Sequence, residues 1–343
     1  MQFKDIIGQT AFIVSVALCC LCSCSTKVDL YNDFKDTTII YGVIDIANDT
    51  NIIKIMRAFG GSNDNSFDAN QVALLADSCN YPGKLDACLV EYKSSLGSNY
   101  APTGRKILLD TMTAHNKPEG TFYAPDQKLY YTTEHFNVNT NLDKYRYKLT
   151  VCKNSGDTVS SEIGLIGGRN FQIHSPMVYF RAKSSKLQRV EFTPDDNEAV
   201  YQIKMQFNYS EEREGQGRVP KEISWTLGDM SPLAEYGCEN GYYYATYPET
   251  KLFQLLEYAI GDDTLYVDRY FDSFIISIFA YGKELHNYIQ LGSQSIIDYN
   301  PTNIHGGCGI FSSCHEIQKP VRISALTQTD LLSKPWGFKH LGY

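Results

Sequence analysis

Apolar and polar residues alternate with period two along much of this chain, the spacing that puts one face of a strand on a core and the other in water. The clearest run is Tyr201–Tyr209, where Tyr201, Ile203, Met205, Phe207 and Tyr209 alternate with Gln202, Lys204, Gln206 and Asn208. Leu142–Val151 alternates in the same way. β-Branched runs at Thr38–Ile46 and Ile52–Ala58 flank Asn48-Asp49-Thr50-Asn51, turn chemistry between the two arms of a hairpin. Strand patterns follow at Ala87–Tyr92, Lys106–Met112, Lys128–Thr133 and Thr158–Ile163, and Asp68 caps a predicted helix that runs to Ala76. Short strands with regular turn signals predict an immunoglobulin-like β-sandwich over 38–165. The tyrosines ahead of Leu149 resemble the corner tyrosine of such sandwiches.

Gly164-Leu165-Ile166-Gly167-Gly168 reads as a boundary. A phosphate loop would need Gly-Lys-Ser/Thr and a following helix, and neither is present. Residues 169–343 predict a second β-rich domain, with strands at Leu187–Thr193, Tyr201–Tyr209, Ile223–Leu227 and Phe271–Tyr281. Two short helices interrupt it. Leu252, Leu255, Leu256, Ala259 and Ile260 form a helical stripe near 249–260 that Gly261 ends, and 283–291 forms a second that Gly292 ends. The tail from Val321 to Tyr343 is too apolar for a disordered extension. The predicted class is therefore mainly β, a sandwich followed by a β-rich domain with two helices.

The amino terminus changes where such a protein is expected to live. Ala11–Leu21 is an apolar run behind a short segment carrying Lys4, too short to span a ~30 Å hydrocarbon core. It reads as a signal peptide over 1–23, ending in Leu21-Cys22-Ser23-Cys24. Leucine three residues before the cut, serine at the cut and a cysteine after it form the pattern read by lipoprotein signal peptidase. Lipidation is expected on Cys24, with 24–37 as a tether and the membrane as a partner through the acyl chains. The chain has 343 residues and a formal charge of -8. No Lys/Arg block is present, so nucleic acid has no electrostatic footprint.

Several residue clusters carry side chains capable of chemistry. Cys79, Cys88, Cys152, Cys238, Cys308 and Cys314 permit disulfides in an exported chain, and Cys308–Cys314 is the pair expected to close a local loop. His305, Cys308, Cys314 and His315 are metal-ligand types, but their spacing matches no zinc pattern, and a glycine turn is the expectation. Glu211, Glu212 and Glu214 read as a solvated hairpin tip. No nucleophile elbow of the Gly-x-Ser-x-Gly type occurs, so no catalytic residue, metal or cofactor is expected. Tyrosine is abundant, 25 residues against 2 tryptophans. The densest run offers Tyr242, Tyr243, Tyr244 and Tyr247 as ligand contacts, with one alternate set expected in the core.

A set of phrases resembles a known family. They are Ile40-Tyr41-Gly42-Val43-Ile44, Ile53-Lys54-Ile55, Ala199-Val200-Tyr201 through Glu211, Ile223-Ser224-Trp225, Asn303-Ile304-x-Gly306-Gly307-x-Gly309-Ile310-Phe311, Leu326-Thr327 to Leu331-Leu332 and Leu341-Gly342. Together they resemble a family of Bacteroidetes lipoproteins described only as a domain of unknown function. The chain departs from it at Cys314-His315, where the family tends to carry an arginine. The resemblance implies an outer-membrane lipoprotein, often encoded beside TonB-dependent receptors, which makes such a receptor the implied partner. It carries no catalytic residues. In such a source, Asp-Thr followed by an aliphatic residue or threonine is an O-glycosylation pattern, which here marks Thr37, Thr111, Thr158 and Thr264. The expected function is a non-enzymatic, lipid-anchored binding or accessory module tied to nutrient uptake. The alternatives are a structural pilus-type subunit and a hydrolase whose active site carries no sequence signal.

Overall fold

The computed structural model describes residues 37–58, 79–95, 99–115, 126–215, 217–261, 267–292 and 302–339. The signal peptide, Cys24, the tether to residue 36, the helix expected at 68–76, Thr264 and the last four residues lie outside them. Within them the chain is mainly β.

Eight strands come first: β1 (Thr38–Ile44), β2 (Asn51–Arg57), β3 (Asp86–Ser95), β4 (Ala101–Leu108), β5 (Asp110–Ala114), β6 (Gln127–Thr132), β7 (Asp143–Cys152) and β8 (Thr158–Ile163). They form two layers, in the order β1-β2-β6-β5 and β4-β3-β7-β8. Ile40, Ile53, Leu89, Tyr147, Leu149 and Val159 interleave between the layers as one hydrophobic cluster. The Tyr147 hydroxyl, on β7, accepts the Asn137 backbone N–H at 2.8 Å and so ties the β6–β7 loop to the strand that follows it. The run expected as one strand, Lys106–Met112, is two. The chain crosses from one layer to the other at Leu109, which is 1% exposed and donates its N–H to Ala87.

The second half adds β9 (Gln172–Ile173), β10 (Met177–Val178), β11 (Leu187–Thr193), β12 (Ala199–Arg213), β13 (Val219–Thr226), β14 (Ser231–Pro232), β15 (Gly237–Glu239), β16 (Tyr242–Pro248), α1 (Lys251–Ile260), β17 (Val267–Gly282), α2 (Lys283–Gly292), β18 (Gly307–Ile323) and α3 (Ala325–Ser333). The alternation read at Tyr201–Tyr209 is the middle of β12, whose Tyr201, Ile203, Met205 and Phe207 are buried. They face Val190, Phe192 and Tyr247 of the four-stranded sheet β15-β16-β11-β9. Into the same core α1 turns Leu252, Phe253, Leu256 and Ile260. The tail forms a third helix that its periodicity hides. Ser324 caps α3 by accepting the Thr327 N–H, while Leu326 is 55% exposed, so no continuous apolar stripe marks the helix.

The two hydrophobic clusters meet at the glycine-rich boundary, where Leu165 belongs to one and Ile166 to the other. One sheet nevertheless serves both. Its order is β13-β12-β17-β18-β1-β2-β6-β5, and β1 pairs in parallel with β18, Thr38 opposite Gly307 and Ile44 opposite Ser313. The Asn303–Phe311 phrase builds this junction. Asn303 pairs its side-chain amide with the Phe311 backbone in both directions, at 2.6 and 2.9 Å. Gly309 has φ +104, and a Cβ there would stand 2.0 Å from the Ile40 carbonyl oxygen. Only glycine brings the two backbones together. Among the described residues no helix is long and apolar enough to cross a membrane.

Candidate ligand-binding cleft

The tyrosine-rich run is β16, bonded to β15 on one side and to β11 on the other. Period two sorts its side chains. Tyr243 packs with its ring 6.3 Å from Phe192. Tyr247 is 1% exposed, and its hydroxyl accepts the Tyr179 N–H at 3.3 Å. Tyr242 and Tyr244 take the opposite, outer face. Tyr242 is 43% exposed and meets the His174 ring edge-on at 4.6 Å. Two of the four candidate contact aromatics are therefore core residues.

Tyr244 lies across Gly237 on the neighbouring strand, where a Cβ would approach its Cζ to 2.2 Å. The missing side chain is what lets the ring rest there. The Arg189 guanidinium sits over that ring, 5.1 Å from its centroid, and pairs with Glu191 at 2.7 Å and with Glu239. Beside the ring opens a cleft of about 360 Å³ lined by Leu227, Asp229, Ser231, Glu235, Tyr236 and Tyr244. The β13–β14 loop supplies one wall, and a 3₁₀ turn, Leu233–Glu235, the other. Burial, with the Glu235 charge adding to it, pushes the Tyr236 phenol up to about 12. The phenol therefore stays protonated, and it donates to the Tyr201 carbonyl at 2.7 Å. Asp229 and Glu235 are exposed, and neither makes an ion pair or side-chain hydrogen bond among the described residues. The cleft thus offers two free carboxylates, a hydroxyl on Ser231 and aromatic walls. Arg189, Asp229, Glu235 and Gly237 carry no sequence signal as a group, because they come from four separate elements.

The remaining candidates resolve differently. Glu211 is not a solvated tip residue: β12 continues to Arg213, and Glu211 pairs at 2.9 Å with Arg269, which is 0% exposed. Cys308 and Cys314 stand six residues apart on the single extended strand β18, roughly 20 Å at ~3.3 Å per residue. A disulfide needs Cα atoms within about 7 Å, so the expected pairing is not made, and neither cysteine is in a disulfide. His315 bonds Asp45 through Nδ1 at 2.9 Å, on the strand face opposite Cys314. No group of three or more His, Cys, Asp or Glu able to hold a metal occurs among the described residues. The glycine loop binds an internal anion: Asp195 Oδ2 accepts the Gly167 and Gly168 N–H groups at 2.9 and 2.7 Å. Of the threonines in Asp-Thr pairs, Thr37 and Thr111 are half-buried and Thr158 is exposed at the start of β8.

No protein-family model matches the chain, and no curated protein is similar to it. Among solved structures, the C-terminal globular domain of an oligosaccharyltransferase from Pyrococcus abyssi aligns at 10% identity and a TM-score of 0.18. That alignment covers 86% of this chain and 52% of the other. A likeness of that degree bears on neither fold nor activity.

Proposed function

We propose that this chain is a non-enzymatic binding module of the cell envelope, anchored to the outer membrane through Cys24 and serving nutrient uptake as an accessory to a TonB-dependent receptor. Its ligand site is the cleft beside Tyr244. The observation that carries this reading is the Tyr244 ring, seated on Gly237 at the mouth of a cleft whose carboxylates have no ion-pair partner among the described residues. Aromatic walls with a few convergent polar groups are how small-molecule sites fix orientation. Two of the thiols are held in the form that is not nucleophilic. Burial, with the Asp45 charge adding to it, pushes the Cys314 thiol up to about 11, and burial raises Cys88 against the pull of Lys106. Both stay protonated at neutral pH, and the thiolate is the nucleophile.

The test uses the intact lipoprotein from detergent-solubilised membranes, applied to saccharide and peptide arrays as wild type and as Tyr244→Ala. Wild-type binding that falls at least ~10-fold in the variant supports the cleft. Binding that survives Tyr244→Ala moves the site elsewhere. A pull-down with Cys24→Ala as the unanchored control reads the partner: co-purification of a barrel with wild type alone supports the accessory role, and recovery of the lipoprotein by itself removes it.

A further inference from the structure

Charge around the Tyr244 cleft is one-sided. Asp229 and Glu235 line it, and Glu191 and Glu239 flank the ring on the same sheet face. Arg189 is the cation of this set, and Glu191 and Glu239 already hold it. Asp229 and Glu235 are left without counter-ions among the described residues. The aromatic surface beside them already carries one positive group, since the Arg189 guanidinium rests 5.1 Å from the Tyr244 centroid. Arg189 covers one face of that ring and Gly237 lies against it, so the ring bounds the cleft and the Asp229 and Glu235 carboxylates carry the charge recognition. An anionic ligand would meet the Asp229 and Glu235 carboxylates with no cation lining the cleft. A neutral polyol would hydrogen-bond Asp229 and Glu235 yet leave both charges standing.

We propose that the cleft takes a ligand bearing a protonated amine, with Asp229 and Glu235 as its counter-ions and the Tyr236 and Tyr244 rings as its walls. This rests on the cleft being the binding site. The amine is the chemistry shared by an amino sugar and a simple alkyl diamine. The Ser231 hydroxyl, at the same cleft, adds a polar contact for the rest of the molecule.

Three probes separate the possibilities on the full chain: D-glucosamine, N-acetyl-D-glucosamine and cadaverine. Titration calorimetry should show glucosamine binding at least ~10-fold tighter than its N-acetyl form, with the gap narrowing as salt screens the exposed charges. The double variant Asp229→Asn, Glu235→Gln should erase the gap. Both side chains are exposed, so the fold tolerates the change. Cadaverine binding as tightly as glucosamine supports the amine and excludes the sugar as its source, whereas cadaverine binding far more weakly supports the amino sugar. Equal binding of glucosamine and its N-acetyl form overturns the amine, as does a gap that survives the double variant. Silence from all three probes also overturns it. Array binding that Tyr244→Ala abolishes would, in those cases, leave the cleft standing as the site.

Discussion

Replacing Glu91 with glutamine should cost the amino-terminal sandwich about 2–4 kcal/mol at neutral pH. Glu91 stands on β3 with its side chain 4% exposed. Its carboxylate accepts from the Tyr147 hydroxyl at 2.7 Å, the Thr103 hydroxyl at 2.9 Å, the Asn137 amide at 2.9 Å and Arg105 at 3.4 Å. These donors come from β4, β7 and the loop between β6 and β7, so one carboxylate on β3 ties all three together. Glutamine keeps the shape but turns half of the acceptor into a donor. At least one buried donor then faces another donor, a loss of ~1–3 kcal/mol, and the remaining bonds lose a charge partner whose bonds run ~1.5–3 kcal/mol each. Burial alone would raise the Glu91 carboxyl. The bonds from Tyr147, Thr103 and Asn137, with the Arg105 charge, outweigh it and hold the group below its ordinary value. A folded pKa below the unfolded one contributes stability above the unfolded value, about 4.3, and loses it as pH falls through the folded value. The gap between wild type and Glu91→Gln should therefore be full at neutral pH and shrink below pH ~4. Urea unfolding followed by circular dichroism at neutral and acidic pH measures both quantities. A gap under ~0.5 kcal/mol at neutral pH, or one that widens in acid, would refute the reasoning.

Two further perturbations probe the joints of the fold. Arg269→Met removes a guanidinium that is 0% exposed and bonds both Glu211, at 2.9 Å, and the Trp336 carbonyl, at 2.7 Å. Breaking such a pair should cost ~3–5 kcal/mol, and hydrogen exchange should accelerate first at Arg269 and Lys339, whose N–H groups bond across this joint. Gly309→Ala must place a methyl where the Ile40 carbonyl stands and hold a side-chain residue at φ +104. Backbone strain of that kind costs ~1–3 kcal/mol before the clash is counted, so the thermal midpoint should fall by several degrees. An unchanged midpoint would mean that β1 does not pair with β18 as described.

What the sequence made legible was the facing of side chains, because period two is a local property. β12 and β7 turn the expected residues inward, β16 sends one alternate set to the core, and α1 and α2 stand where the sequence ends helices at Gly261 and Gly292. The partner of each face was not legible. Lys106–Met112 reads as one apolar run, yet Ile107 and Met112 lie in different sheets on either side of Leu109. Cys308 and Cys314 look close because six residues suit a loop, but on a strand the same six residues hold them apart. The cleft was half visible. Tyr244 belongs to a run that stands out in composition, while Asp229, Glu235 and Arg189 reach it only because β11, β15, β16 and the β13–β14 loop converge.

The same logic explains why the glycine phrase resisted a functional reading. Glycines near histidines and cysteines suggest a ligand loop when read along the chain. Read across the sheet, Gly307 lies opposite Thr38 and Gly309 opposite Ile40, where one parallel ladder joins the first described strand to the last. Parallel neighbours require a long return path, here nearly the whole described chain. The ends of that path must then be held by contacts specific enough to find each other. Gly309 opens the space for the Ile40 carbonyl, Asn303 fixes the backbone of Phe311, and Ser313 donates its hydroxyl to the Ile44 carbonyl at 2.9 Å while accepting the Ile166 N–H at 3.1 Å. Ser313 thereby ties β1, β18 and the inter-cluster boundary with one buried hydroxyl. The residues that most resemble a site are those that close the fold, and none of them lines the cleft.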